Sequence, residues 1–271
     1  QVPSTNDFQL NVEAILEAVA PDVKLVFACS PNNPTANLMR EEDLKALCEG
    51  LSDKALLVVD ETYIEFTDQQ SAAQWIEHYD NLVVLRTISK SFAGAGFRCG
   101  VAIARQDIID LLRKGLAVYP VPAPVVDAVL TTLSPANKAR LAIKRKELLA
   151  GKVDFSTRLK ELAEVEKIYP SDCNFILVKV RDAAAFTKKC KDAKIIIRDQ
   201  SGQPGLENCV RISIGSPYEM DLVIRALKGQ VEETKAGRTA IISRKTKETR
   251  IKVEVDLDEP GPGHIDSGIG F

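Results

Sequence analysis

The stretch TISKSFAGAGFRCG, residues 87–100, puts Lys90 between Ser89 and Ser91 and follows it with small residues and Arg98. Glycines there let a ligand approach the backbone closely. Hydroxyls and an arginine suit a phosphate, which they meet with charge-assisted hydrogen bonds. Two more stretches carry chemically useful groups: CSPNNPT (29–35), with Asn33, and DETY (60–63), with Asp60 and Tyr63. A lysine can bond covalently to an aldehyde. A carboxylate can keep a pyridine nitrogen protonated, which turns the ring into an electron sink. Tyr and Asn can hydrogen-bond a ring oxygen, and Ser, Thr and Arg can hold a phosphate. Together these are the requirements of pyridoxal 5'-phosphate.

These groups are far apart in sequence, so the elements before them must bring them together. VKLVFA (23–28), ALLVVD (55–60) and NLVVLR (81–86) are short apolar runs, and each leads directly into one of the three stretches. Near-continuous Val and Leu runs fit strands buried on both faces of a parallel sheet. Helices are expected across Phe8–Val19, 41–49, 70–78, 106–117 and 122–133, with a further strand at GVAIA (100–104). Ligands of open α/β sheets bind beyond the carboxyl ends of the strands. Asn33, Asp60, Tyr63 and Lys90 are therefore expected to converge. The glycines of GAGFRCG are spaced GxGxxxG, which does not match the GxGxxG of a dinucleotide loop.

The texture changes at Pro135. A charged helical stretch runs to Val165, followed by strands at 174–180, 195–199 and 210–215 and helices at 182–192 and 217–229. After Gln230 the sequence is polar, and IKVEVDL (251–257) alternates like a half-buried strand. The expected organisation is a large α/β domain over 1–133 with a mostly parallel sheet, a smaller α/β domain over 134–232, and a short β-rich tail over 233–271.

Bulk properties narrow the function. The 271 residues carry 36 Lys and Arg against 38 Asp and Glu, a net charge of −2, which gives no reason to expect nucleic acid or an anionic membrane as partner. No apolar run is long enough to span a bilayer, and QVPSTNDFQL does not read as a signal peptide. The six cysteines form no CxxC pair and read as reduced thiols. Two well-separated histidines, His78 and His264, give no basis for a histidine-rich metal centre.

The order SPNNPT, DETY, SKSFAGAGFRCG resembles the fold-type I aminotransferases, and most of all their histidinol-phosphate aminotransferase branch. The resemblance runs over about residues 1–229 and includes YPVPAP (119–124), SDCNFIL (171–177) and IIIRDQSGQPGLENCVRISIG (195–215). It implies that Lys90 bonds the cofactor aldehyde and later carries the proton, and that Asp60 pairs with the ring nitrogen. Asn33 and Tyr63 would bond the ring hydroxyl, and Thr87, Ser89 and Arg98 the phosphate. Arg211 would bind the α-carboxylate of glutamate, and Arg198 the phosphate of histidinol phosphate; Tyr119 and Asn174 lie in segments used near the substrate. The implied reaction passes the amino group of histidinol phosphate to 2-oxoglutarate, in a cytoplasmic enzyme, or an organellar one if the source is eukaryotic, that forms homodimers. Other readings are an aromatic amino-acid aminotransferase of the same fold type and an inactive piece.

The chain departs from that pattern in three places. Ala36 stands where the family usually has Gly. The family has a stretch ahead of this chain's first residue, including early strands, so exposed strand edges and apolar surface are expected. The segment GRTAIISRKTKETRIKVEVDLDEPGPGHIDSGIGF resembles the opening of imidazoleglycerol-phosphate dehydratase, which implies a fused aminotransferase and dehydratase. That dehydratase's metal-binding histidines would lie beyond Phe271, so no dehydratase activity is expected. His264 reads as a surface residue.

Overall fold

A computed structural model describes residues 1–230, 239–245 and 250–256. The first layer is a four-stranded sheet in the order β1 (Leu25–Cys29), β2 (Leu56–Asp60), β3 (Leu82–Thr87), β4 (Gly100–Ile103). β1, β2 and β3 are parallel. Leu57, Val59, Leu82 and Val84 on one face pack against Leu44 and Leu47 of α2 (Glu41–Gly50). Ile15 and Leu16 of α1 (Val12–Glu17) cover the same side. Val58 and Val83 on the other face pack against Ile108 of α3 (Gln106–Gly115). The apolar positions of β2 and β3 thus alternate between two covered faces, as the sequence pattern implies.

β4 departs from the parallel expectation and pairs antiparallel with β3. A parallel neighbour needs a crossover, usually a helix. Residues 88–99 supply only a loop with a single 3-10 turn at Ala95–Phe97, so the chain doubles back. The same loop carries Lys90.

Three expected elements are shorter than their patterns. The helix at 70–78 is one 3-10 turn, Ala72–Trp75, because the Ser71 hydroxyl and Ala72 N–H are tied to the Glu61 carboxylate. Phe8 lies outside α1, with φ 61°, and its ring meets Tyr169 in a tilted contact, with centroids 5.1 Å apart. Of 195–199 only Arg198–Asp199 pairs as a strand.

α4 (Ala123–Thr132) and the long α5 (Pro135–Lys160) lead into the second layer. α5 ends at Lys160, and Val165–Ile168, part of which belongs to the stretch expected to be helical, forms a strand, β5. The sheet is antiparallel throughout, in the order β5, β6 (Phe175–Val180), β8 (Cys209–Ser213), β7 (Arg198–Asp199). Its one face buries Ile176, Val178 and Ile212 against Phe155 and Leu159 of α5, Phe186 of α6 (Ala183–Asp192) and Val223 and Ile224 of α7 (Pro217–Leu227). α7 opens with a full capping box between Ser216 and Glu219. β9 (Thr239–Lys245) and β10 (Arg250–Asp256) form an antiparallel hairpin that includes most of the strand expected at 251–257. Leu257, His264 and the SGIGF segment lie outside the described residues.

Among the described residues β1 has a strand neighbour on one side only, and Leu25 and Phe27 are 51% and 65% exposed. These two side chains leave apolar surface on the sheet face beside β2.

The second core is held by large fully buried side chains. Phe155→Ala is expected to lower unfolding free energy by about 3–5 kcal/mol. Val153→Ala, two residues away and 67% exposed, should change it by less than about 0.5 kcal/mol. Urea titration followed by circular dichroism measures both.

Candidate active site

The parallel register sets Cys29 beside Asp60 and Asp60 beside Leu85, so three loops leave the sheet at a common edge. The first loop, 30–37, is tied to itself. The Asn37 carbonyl accepts from Asn32 N–H, Asn32 O accepts from Ala36 N–H, and the side chains of Asn32, Thr35 and Asn37 are linked in series at 2.6 Å. The Ser30–Pro31 and Asn33–Pro34 peptides are cis. Asn33 is exposed at the tip of the loop, where its Oδ1 accepts from Arg211 Nη1 at 2.6 Å.

Ala36, at the position flagged for glycine, has φ 69° and is fully buried. A side chain there costs about 1–2 kcal/mol relative to the right-handed region. Its methyl packs with Tyr63, Phe66, Cys173 and Phe175, a cluster that joins the two layers at the site.

In the second loop, Asp60 Oδ1 accepts from both the N–H and the hydroxyl of Thr62, at 2.9 and 2.6 Å. This turn leaves the second carboxylate oxygen with no hydrogen bond among the described residues. Tyr63 is 7% exposed, with its ring edge-on to Phe175 at 5.2 Å. Burial raises the Tyr63 pKa first, the Cys173 thiol raises it further, and the Arg211 guanidinium pulls it down. The phenol therefore stays protonated at neutral pH and can donate a hydrogen bond. Burial, then Asp60, raises the Cys29 thiol, so it is neutral beside the carboxylate.

The third loop folds tightly. Ser89 N–H donates to Thr87 Oγ1, and the two hydroxyl oxygens are 2.9 Å apart. Gly94 N–H donates to Ile88 O and Ala93 N–H to Lys90 O. Lys90 is exposed, with Nζ 5.7 Å from the centre of the Tyr63 ring. Arg98 is also exposed, at φ 52°, and donates to Ala95 O.

The two arginines expected to serve substrate lie directly opposite each other on β7 and β8, hence on one sheet face. Arg211 lies over Phe175 at 5.1 Å, and its Nε is buried with no acceptor among the described residues. Asp199 turns its Oδ1 to Ser201 N–H and makes no ion pair with Arg198. The arginine ion pairs of the described residues engage Arg40, Arg86, Arg105, Arg113 and Arg158, and leave out Arg98, Arg198 and Arg211.

The loops thus bring Asn33, Asp60, Tyr63, Lys90 and Arg211 together, with Thr87 and Ser89 at the base of the lysine loop. Tyr119 is 89% exposed and has no hydrogen bond or ring contact to this group. The Asn174 backbone carbonyl accepts from Ile214 N–H, and its side chain makes no hydrogen bond to this group. Sequence reading passed over the fasteners between the layers. Asp172 N–H donates to Ala36 O and its Oδ2 accepts from Leu38 N–H. Lys152 of α5 donates to the Ser171 and Cys173 carbonyls, and burial lowers its pKa. Asp172 sits in a segment the resemblance includes, but nothing in its spacing signals a clasp to residues 36–38.

Strand ends that present a lysine, a carboxylate and unpaired arginines at one edge define a class of protein. The aminotransferase class I and II family model matches residues 1–227, and the chain belongs to that family. Within it, the chain is 42% identical over 227 residues to the histidinol-phosphate aminotransferase of Haemophilus influenzae strain PittEE, which covers 84% of this chain and 64% of that protein. It is 43% identical over 227 residues to the putative histidine biosynthesis bifunctional protein HisCD of Photorhabdus laumondii, covering 84% of this chain and 28% of that one. The fold matches the histidinol-phosphate aminotransferase of Sinorhizobium meliloti, solved with pyridoxal-5'-phosphate, at a TM-score of 0.74 and 24% identity, over 85% of this chain and 64% of that chain. The chain therefore spans about two-thirds or less of these relatives' lengths.

Two substitutions test the loops. A Cβ on Gly94 would meet Ile88 Cδ1 at 2.9 Å and the Ile88 carbonyl at 3.0 Å. Gly94→Ala should destabilise by about 1–3 kcal/mol, read as a lower unfolding temperature. Ala36→Val places a β-branched residue at positive φ in a filled cluster and should cost at least about 2 kcal/mol in a urea titration.

Proposed function

We propose that this chain supplies the cofactor-holding and substrate-reading residues of a pyridoxal-phosphate-dependent histidinol-phosphate aminotransferase, with 2-oxoglutarate and glutamate as the second pair. The observation that carries this reading is the half-buried Arg211. It has no carboxylate partner among the described residues, bonds Asn33 beside Tyr63 and Lys90, and stands opposite Arg198. A half-buried guanidinium nitrogen without an acceptor favours an anionic ligand. The donor set fits the cofactor: an unpaired lysine, a carboxylate with a spare oxygen, a protonated phenol, and two hydroxyls with an arginine on the loop between β3 and β4.

When bound, the cofactor supplies an electron sink for the charge left as the substrate α-proton departs. The chain's residues do the rest. Asp60 holds the ring nitrogen protonated, and Asn33 and Tyr63 orient the ring oxygen. Thr87, Ser89 and Arg98 hold the phosphate. Lys90 would bond the cofactor aldehyde and, when its amine is free, would take the substrate α-proton and return it as a general base and acid. Arg211 and Arg198 serve substrates that differ in their anions: dicarboxylic glutamate and 2-oxoglutarate, and histidinol phosphate with its phosphate. A cross-strand arginine pair suits both, which favours this substrate over an aromatic amino acid.

The remaining parts of the proposal rest on the family and on the resemblance of the tail. Residues 1–133 and 134–232 are the large and small domains of the aminotransferase. The full-length protein is a cytoplasmic homodimer, and 233–271 opens a dehydratase-like domain in a fused enzyme of histidine biosynthesis. The 239–256 hairpin is compatible with such an opening, and the Photorhabdus relative is named as bifunctional in the same biosynthesis. No helix of the described residues is long and apolar enough to cross a membrane.

Titration with pyridoxal phosphate should produce a visible absorption band that Lys90→Ala abolishes. Arg211→Gln should leave that band and weaken 2-oxoglutarate binding by about 10- to 100-fold, the loss of one charged hydrogen-bond pair. Equal turnover of phenylalanine and histidinol phosphate would favour the aromatic aminotransferase instead.

A further inference from the structure

Behind the candidate site lies a second constellation that none of the roles above uses. Glu61, next to Asp60, points the other way and is 2% exposed. Its carboxylate accepts from Ala72 N–H at 2.7 Å and from the Ser71 hydroxyl, and lies 3.5 Å from Arg86 Nη1. Arg86, next to Thr87, also pairs with Glu65 through Nη2. The side chains of Glu61, Glu65 and Arg86 are 3%, 11% and 26% exposed. Every other ion pair of the described residues joins side chains that are 33% or more exposed.

A buried ion cluster is a poor source of stability, because desolvation offsets the attraction. What it does provide is a fixed geometry, since a guanidinium bridging two carboxylates tolerates little displacement. The placement gives that geometry a use. Glu61 and Glu65 alternate with Asp60 and Tyr63 on one segment, and Arg86 adjoins Thr87 on the other. Glu61 N–H donates to Leu85 O between them.

We propose that Arg86 is a positioning residue, a strut that bridges Glu61 and Glu65 and so fixes the separation between the Asp60–Tyr63 segment and the Thr87–Lys90 segment. This rests on the reading of the site as a pyridoxal-phosphate site. In that reading the ring is held from one segment and the phosphate from the other. A ligand gains from both holds together only if the gap is set before it arrives.

The test compares the unaltered protein with a triple variant, Glu61→Gln, Glu65→Gln and Arg86→Met, and with Arg86→Lys. The triple variant removes all three charges together, so no charge is stranded; the Glu61→Gln amide oxygen can still accept from Ala72 N–H, while its NH2 faces the Ser71 hydroxyl, which can turn to accept from it. Its unfolding temperature should stay close to that of the unaltered protein. The probes are pyridoxal phosphate and pyridoxal, which lacks the phosphate. The ratio of their dissociation constants reads the benefit of holding both ends. It should fall by about tenfold or more in the triple variant, with pyridoxal binding little changed. Arg86→Lys, whose ammonium cannot form the planar two-sided bridge, should lie between. General loosening would weaken both probes alike.

A cofactor-free arm measures amide hydrogen exchange. Residues 60–66 and 86–94 should exchange faster in both variants, while β1 and the second sheet stay as protected as before. An unchanged ratio in a folded variant, or unchanged exchange in those two segments, overturns the strut. If the triple variant does not fold, Arg86→Lys decides by the same criteria. If the unaltered protein binds no pyridoxal phosphate, the functional reading fails and hydrogen exchange alone decides the strut.

Discussion

Parallel hydrogen bonding among β1, β2 and β3 sets Cys29, Asp60 and Leu85 side by side, and every group of the candidate site hangs from that register. A slip of one residue would turn Asp60 toward the opposite face and bring Glu61 into its place. The register is protected because each of these strands is apolar on both faces, and Leu57, Val59, Leu82 and Val84 are completely buried. Burying each such side chain contributes roughly 1.5–3 kcal/mol. The polar residues appear only where the strands end.

The antiparallel turn into β4 follows from the same economy of chain. Because residues 88–99 return directly to the sheet, the lysine loop is short and closes on itself through Gly94 and Ile88. Lys90 is left exposed while its backbone is held. The second sheet then completes the site from outside. Tyr63 and Phe175 meet edge-on, Asp172 clasps residues 36 and 38, and Arg211 reaches Asn33. The positive φ of Ala36 belongs to this junction. The loop must turn sharply there to put its carbonyl against Asp172, and the methyl fills the space between Tyr63 and Cys173.

Charge distribution separates the working face from the supporting one. On the working face, Lys90, Arg98, Arg198 and Arg211 lack carboxylate partners among the described residues. On the supporting side, Arg86 is flanked by two carboxylates in a closed cluster. Neighbouring residues of the same two strands thus carry opposite assignments. Cations without carboxylate partners favour an incoming anion, whereas a cation paired with two carboxylates is neutralised where it stands, although Arg86 Nε and Glu65 Oε2 are buried without a hydrogen-bond partner among the described residues.

The sequence by itself determined the strands of the first layer, the loops that follow them and the residue types at their tips. Val and Leu runs ending in Pro, Asn, Asp and Ser state both the burial and the boundary. Asn33, Asp60, Tyr63, Lys90 and Arg211 were legible because each ends or follows a strand, or lies within one, in a stretch of distinctive type. Only tertiary structure decided the antiparallel direction of β4, the shortening of 70–78 to one turn, and the strand at Val165–Ile168, because these depend on what the chain meets. Ser71 and Ala72 answer to Glu61, and β5 to β6. Two arginines separated by a Gln-Pro loop read as a pair in sequence, but their facing positions come from the β7–β8 register. The Asp172 clasp and the Glu61–Arg86–Glu65 cluster left no trace in spacing, since their partners come from distant segments and alternate with residues of more obvious chemistry.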